Sequence, residues 1–203
     1  MGGGKKKGET LRLFAALDIP EKVRERIAEA VSRNAGLLPQ ARWVRKENLH
    51  LTLKFIGEYP EEKLGGLEEI MEAKALNGEP FTVALKGCGG FPSPGKARVI
   101  WLGMGKGEKE AASLAAELDS GLSKVGVGRE TRPFRGHLTL ARLRNPLDCS
   151  PCLASLEEDL AGLEDMDFMI SEITLYRSFL RPGGPHYVPL RRFGLGRECG
   201  ARD

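Results

Sequence analysis

Leu11, Leu13, Ala15 and Leu17 alternate with Arg12, Phe14, Ala16 and Asp18, the period-two pattern of a strand with one buried face. After Pro20, the residues Val23, Ile27, Ala30 and Val31 recur on one stripe of a helix that ends near Gly36. A strand is predicted over 49–56, and Pro60 then opens a helix carrying Leu64, Leu67, Ile70 and Met71, weakened by Gly65-Gly66 and closed by Gly78. Strands are predicted over 81–85 and 97–102 about a Gly/Pro loop. A third helix follows, with Ala111, Leu114, Ala115, Leu118 and Leu122 on its stripe. The next strand begins about His137. Leu153, Leu156, Leu160 and Leu163 mark a fourth helix, and 170–180 and 187–193 read as strands joined across Arg181-Pro-Gly-Gly-Pro185. The order is mixed α and β, with no linker long enough to separate independent domains.

Within this pattern one tetrapeptide occurs twice, as His50-Leu51-Thr52-Leu53 and His137-Leu138-Thr139-Leu140, offset by 87 residues. Each copy lies in an alternating segment, so Leu51, Leu53 and Phe55 share one face while His50 and Thr52 share the other. Leu138 and Leu140 oppose His137 and Thr139 in the same way. The chain has three histidines, and two of them stand at these matching places. A single His-x-Thr on a strand is usually a local hydrogen-bonding feature; a matched pair points to chemistry. If the halves pack face to face, two imidazoles able to exchange protons near neutral pH and two hydroxyl donors converge on one groove. Such a pair can flank a phosphorus atom and run in-line displacement without metal, one ring deprotonating the incoming oxygen and the other protonating the departing one. Metal ligation is the rival use of histidine, but each tetrapeptide supplies one imidazole and no HExxH motif or local His/Asp cluster completes a zinc set. No metal and no cofactor are expected.

Charge sharpens this picture. The whole chain carries a net charge of only +3, yet Arg129, Arg132, Arg135, Arg142 and Arg144 stand against the single Glu130 in one short segment around the second histidine. Guanidinium groups bind phosphate oxygens bidentately, so the cluster suits a phosphate-bearing partner. Arg135 shares the parity of His137 and Thr139 if the strand extends through Gly136, making it the candidate third phosphate contact; Arg142 has the opposite parity and is assigned a supporting place. Tyr176, Tyr187, His186 and Phe134 could stack on a base at the groove edge.

The other motifs carry less. Gly90-Phe-Pro-Ser-Pro-Gly95-Lys96-Ala97 nearly spells a phosphate-binding loop, but Ala97 lacks the magnesium-binding hydroxyl and Pro92 and Pro94 lack N–H groups; a hairpin is expected. Cys149-Ser-Pro-Cys152 has no second pair, and with Cys88 and Cys199 gives four cysteines, too few and scattered for a secreted framework. No apolar run approaches the roughly 18 residues of a membrane span. No export signal is visible, so a cytoplasmic location and no membrane partner are expected. Residues 1–9 are read as a disordered basic tail, 10–195 as one domain and 196–203 as a C-terminal tail.

The two tetrapeptides, together with 11–20, Trp43, the run His50-Leu-Thr-Leu-Lys-Phe-Ile-Gly57, the segment 132–142, Leu175-Tyr-Arg-Ser178 and Gly184-Pro-His-Tyr187, resemble the 2H phosphoesterases, in the branch of RNA 2′,3′-cyclic phosphodiesterases or 2′-5′ RNA ligases. The resemblance implies an α+β fold of two pseudo-symmetric lobes, each an antiparallel sheet with outer helices, and a groove between the sheets. It implies that His50 donates a proton to the leaving oxygen, that His137 activates water, and that Thr52 and Thr139 hold the phosphate. The family pattern has proline before the second histidine where this chain has Gly136, so a looser approach to that strand is expected. The expected activity is metal-free hydrolysis of an RNA terminal 2′,3′-cyclic phosphate to a 2′-phosphate, by a monomer acting on an RNA end or a small cyclic nucleotide. Reversible 2′-5′ ligation is the close alternative, and a noncatalytic RNA or nucleotide binder is the alternative from another class.

Overall fold

The computed structural model describes residues 9–182 and 184–196. The N-terminal and C-terminal tails, apart from Glu9 and Gly196, and Cys199 lie outside the described residues. Ten strands and four α-helices follow the order β1 (Thr10–Asp18), α1 (Glu21–Asn34), β2 (Arg42–Trp43), β3 (His50–Pro60), α2 (Leu64–Leu76), β4 (Phe81–Val83), β5 (Leu85–Phe91), β6 (Ala97–Met104), α3 (Glu108–Ser123), β7 (His137–Leu147), α4 (Ser150–Asp159), β8 (Phe168–Ile170), β9 (Glu172–Arg181) and β10 (Gly184–Gly194) among the described residues. The expected strand over 81–85 is split between β4 and β5, and the expected strand over 170–180 between β8 and β9. The near phosphate-binding loop is the β5–β6 hairpin connection.

The strands run β10-β9-β1-β3-β7-β6-β5, with β2 also on β7 and β4 paired to β8 in a small separate sheet. The order is a palindrome about the β3–β7 junction: β1-α1-β3-α2 in one half repeats as β6-α3-β7-α4 in the other, with β9 and β5 flanking. Helix packing keeps the same symmetry, since α1 meets α4 and α2 meets α3. Asn34 and Arg33 of α1 reach Asp159 of α4 at 2.6 and 2.9 Å, and Lys74 of α2 reaches Glu117 of α3 at 2.5 Å. The stripes of all four helices and the inward residues of the strands form one buried cluster. No helix is long and apolar enough to cross a membrane among the described residues.

The two lobe sheets are joined into one by a single antiparallel bridge, Leu51 to Leu138. These are the second residues of the two tetrapeptides, so the pseudo-twofold axis passes between the motifs. Both leucines are fully buried, which anchors the junction and turns His50, Thr52, His137 and Thr139 to the opposite face.

Candidate active site

Antiparallel register carried one residue either side of the Leu51–Leu138 bridge sets His50 beside Thr139 and Thr52 beside His137. The histidines are then diagonal neighbours, roughly 7–8 Å apart at the backbone, a gap able to admit a tetrahedral phosphate. Each ring is held alike: Nδ1 of His50 donates to the carbonyl of Asn48 at 2.7 Å, and Nδ1 of His137 to the carbonyl of Arg135 at 2.7 Å. A carbonyl only accepts, so both Nδ1 atoms carry hydrogen and both Nε2 atoms are left for proton transfer.

Gly136 does not loosen the second motif, since His137 takes the same i−2 carbonyl as His50. The Gly136 carbonyl accepts from the N–H of Met104 at 3.0 Å, and a Cβ on Gly136 would stand 2.6 Å from Met104 Sδ. This chain fills with methionine the space a side chain at position 136 would need.

Beyond the tetrapeptides the alternation breaks, identically in both strands. Ala15 pairs with Lys54 but Ala16 with Thr52, and Ile100 pairs with Ala141 but Trp101 with Thr139. Leu53 and Leu140 are therefore the extra residues of matched β-bulges, which reverse the facing of the residues immediately after them, Lys54 and Phe55 in β3 and Ala141 and Arg142 in β7. Two expectations are corrected by this. Phe55, expected beside Leu51 and Leu53 in the core, is 62% exposed on the histidine face, and Lys54 is buried in its stead. Arg142, assigned the opposite face, lines the groove with His50. Arg135 is exposed and is not among the groove-lining residues: β7 starts at His137 rather than running back through Gly136.

The groove, a cavity of about 940 Å³, is lined by His50, Thr52 and Thr139, while His137 stands just outside its lining, beside Thr52 in register and against Phe91. Four arginines line it, Arg12, Arg42, Arg45 and Arg142, with no aspartate or glutamate in the lining. None of the four has an ion-pair partner among the described residues, whereas Arg24, Arg33, Arg129, Arg177, Arg191 and Arg192 are all paired. Arg42 and Arg142 face one another directly across the β2–β7 ladder. Like charges so placed repel, and an anion between them would relieve that repulsion. A second hollow of about 900 Å³ near α2, α3 and β4 is lined by both signs, including Lys74, Lys106, Glu110 and Glu117, and by no histidine.

The two rings differ in surroundings. His50 lies 4.8 Å from Phe14 and 5.3 Å from Tyr187, centroid to centroid. Burial pushes its pKa down to about 4, against the raising effects of the Asn48 hydrogen bond and the Asp18 carboxylate. Asp18, opposite His50 in register, is fixed by hydrogen bonds from Thr174 Oγ1 at 2.9 Å and the Tyr176 hydroxyl at 2.5 Å. His137 instead meets the edge of Phe91 at 5.2 Å. Of the aromatics expected at the rim, Tyr187 lines the groove, Tyr176 stacks on Phe14 at 5.2 Å, Phe134 packs against the core, and His186 lies 6.3 Å from Phe179.

Away from the groove, Cys88, Cys149 and Cys152 are free thiols. Burial pushes Cys88 up to about 12 and Cys152 up to about 11, which makes them packing residues rather than nucleophiles. Among the described residues no group of three or more His, Cys, Asp or Glu is placed to hold a metal ion.

The LigT like Phosphoesterase family matches residues 17–101 and again 102–187, one unit for each half. The chain is 34% identical over 183 residues to the RNA 2′,3′-cyclic phosphodiesterase of Archaeoglobus fulgidus, covering 90% of this chain and 99% of that one. It is 36% identical over 200 residues to the protein of that name from Thermus thermophilus, covering 94% and 93%. Its backbone is similar to that of Escherichia coli LigT complexed with 3′-AMP, with a TM-score of 0.74 at 31% identity, over 93% of this chain and 100% of that one. The palindromic sheet, the paired His-x-Thr strands and these likenesses together establish that the chain belongs to the LigT like Phosphoesterase family.

Proposed function

We propose that this protein hydrolyses 2′,3′-cyclic phosphate ends of RNA to 2′-phosphates, using two histidines and no metal. The observation that carries the reading is the Leu51–Leu138 bridge, which sets the two motifs about one axis on an arginine-lined face. The relatives named for this activity support the substrate class.

In this reading the cyclic phosphate sits between the strands. Thr52 and Thr139 hydroxyls donate to its nonbridging oxygens, and Arg142, with Arg42 opposite, offers bidentate donors to the charge that grows there. His137 Nε2 takes a proton from water as its oxygen attacks phosphorus, and His50 Nε2–H gives a proton to O3′ as the P–O3′ bond breaks. One water is consumed, the 2′-ester is retained, and the rings exchange protons with solvent to reset. The terminal base stacks on the exposed ring of Phe55, next along β3 on the groove face.

The depressed pKa of free His50 fits a donor loaded by its substrate. In the empty groove the ring is neutral at pH 7; a phosphodiester anion one hydrogen bond away favours the imidazolium, so the proton arrives with the ligand. Incubation with an oligonucleotide ending in a 2′,3′-cyclic phosphate, in excess chelator, tests the reading. A 2′-phosphate product is expected, and absence of turnover, or turnover that returns only with added zinc, overturns it.

A further inference from the structure

The groove is longer than one nucleotide needs. Past Phe55 it continues over Gly57 and Arg12 to Ser178, Leu180 and Pro185. On β1, Arg12 lies two residues beyond Phe14, whose ring contacts His50. Asp18 is opposite His50 in register, so the Arg12 backbone lies six residues, roughly 20 Å, along β1 from that histidine, a distance that its long side chain shortens toward the reacting centre. Between them the floor is bare: Gly57 has φ +81°, with open space where a side chain would project. Arg12 has no carboxylate within ion-pair distance among the described residues. Glu58, opposite it in register, instead accepts from Thr10 Oγ1 at 3.2 Å. Leu180, at 71%, is the most exposed large hydrophobic side chain among the described residues, and it stands in the same stretch of groove. An unpaired guanidinium beside an uncovered apolar side chain matches what one nucleotide presents, a phosphate and the face of a base.

We propose that Arg12 and Leu180 form a subsite for the nucleotide preceding the cyclic end, Arg12 taking the phosphate between the two, so that the substrate is an RNA strand rather than a mononucleotide. The proposal rests on the phosphodiesterase reading and adds a direction to it: the strand leaves the histidines along β3 and β1, over Phe55, and not past Arg42 and Arg45.

The test compares adenosine 2′,3′-cyclic phosphate with a trinucleotide ending in the same group, using wild type, R12A, L180S and R42A. Wild type favours the trinucleotide in kcat/KM by about tenfold, the value of one charge-assisted hydrogen bond. R12A removes most of that preference while changing mononucleotide turnover by less than about twofold, and L180S removes a smaller part of it. The dependence of log kcat/KM on log salt for the trinucleotide is shallower in R12A by about 0.7, the loss of one single-strand phosphate contact. R42A lowers both substrates alike. Equal wild-type rates on the two substrates, equal losses in R12A, or a length-dependent loss in R42A instead of R12A overturns the subsite and leaves the phosphodiesterase reading intact. Hydrolysis of neither substrate by wild type removes both.

Discussion

The strands β3 and β7 begin with the same four residues, share the burial sequence of their first six positions, carry the same bulge and tie each histidine to its i−2 carbonyl over the same 2.7 Å. Their difference starts after the bulge. The next position is Lys54 in one strand and Ala141 in the other; the one after is Phe55 against Arg142. The repeated backbone supplies two like-oriented imidazoles about an axis, and the unlike side chains set an aromatic ring after the first motif and a guanidinium after the second. Lys54 adds an asymmetry of stability. Its buried ammonium joins Asp119 at 2.8 Å, Glu130 at 3.2 Å and the Gly128 carbonyl at 2.7 Å. It thereby ties the His50 strand to the helix and loop that lead to His137, whereas Ala141 makes no such tie.

If the shared part of the strands does the chemistry, the largest losses come from its equivalent members. H50A and H137A each lower kcat/KM on a cyclic phosphate by roughly 10²–10⁴-fold, measured with circular dichroism to show that the fold is kept. A mild loss in either would break the equivalence. The unlike positions give smaller and different effects. K54A lowers unfolding stability in urea by about 3 kcal/mol, because it strands part of a buried charge network, while K74A at the exposed α2–α3 pair costs less than about 1 kcal/mol. R142A lowers kcat/KM by roughly 10- to 150-fold, and R142K recovers only part of it because an ammonium lacks the bidentate fork. F55A acts mainly through KM, by about tenfold, as loss of one stacked base.

The least of these effects lies in the pH behaviour of His50. An NMR titration is expected to find the His50 ring lowered to about 4 in the free protein and raised once inorganic phosphate is bound. In the unfolded chain histidine titrates near about 6.5. Because burial depresses the native value, the unfolded state binds more protons between the two, and this contribution to stability, full above about 6.5, is lost as pH falls toward 4. A titration of His50 unmoved by phosphate would remove the substrate-loaded donor.

The legible part of the site was the part that repeats. Identical tetrapeptides fixed which faces His50, Thr52, His137 and Thr139 occupy, and alternation located the strands that carry them. The bulges were hidden in β3 because Lys54 and Phe55 continue a regular polar–apolar alternation, and only pairing with β1 reveals the extra residue. The second copy did carry a signal: after Leu140, the alternation slips at Ala141, leaving Arg142 and Arg144 on one side and Leu143 on the other. Carried back to the first copy, that slip would have turned Phe55 to the groove. The Arg42–Arg142 pair was not legible, since it depends on a two-residue strand laid against β7.

The central claim is that the two imidazoles serve opposite sides of one phosphorus atom with divided tasks. It is tested most directly by replacing O3′ of the cyclic substrate with sulfur, whose thiolate leaves without a proton donor. H50A should hydrolyse this substrate at a rate near wild type, while H137A remains as slow as on the oxygen substrate. Rescue of both variants, of neither, or of H137A alone would contradict the account.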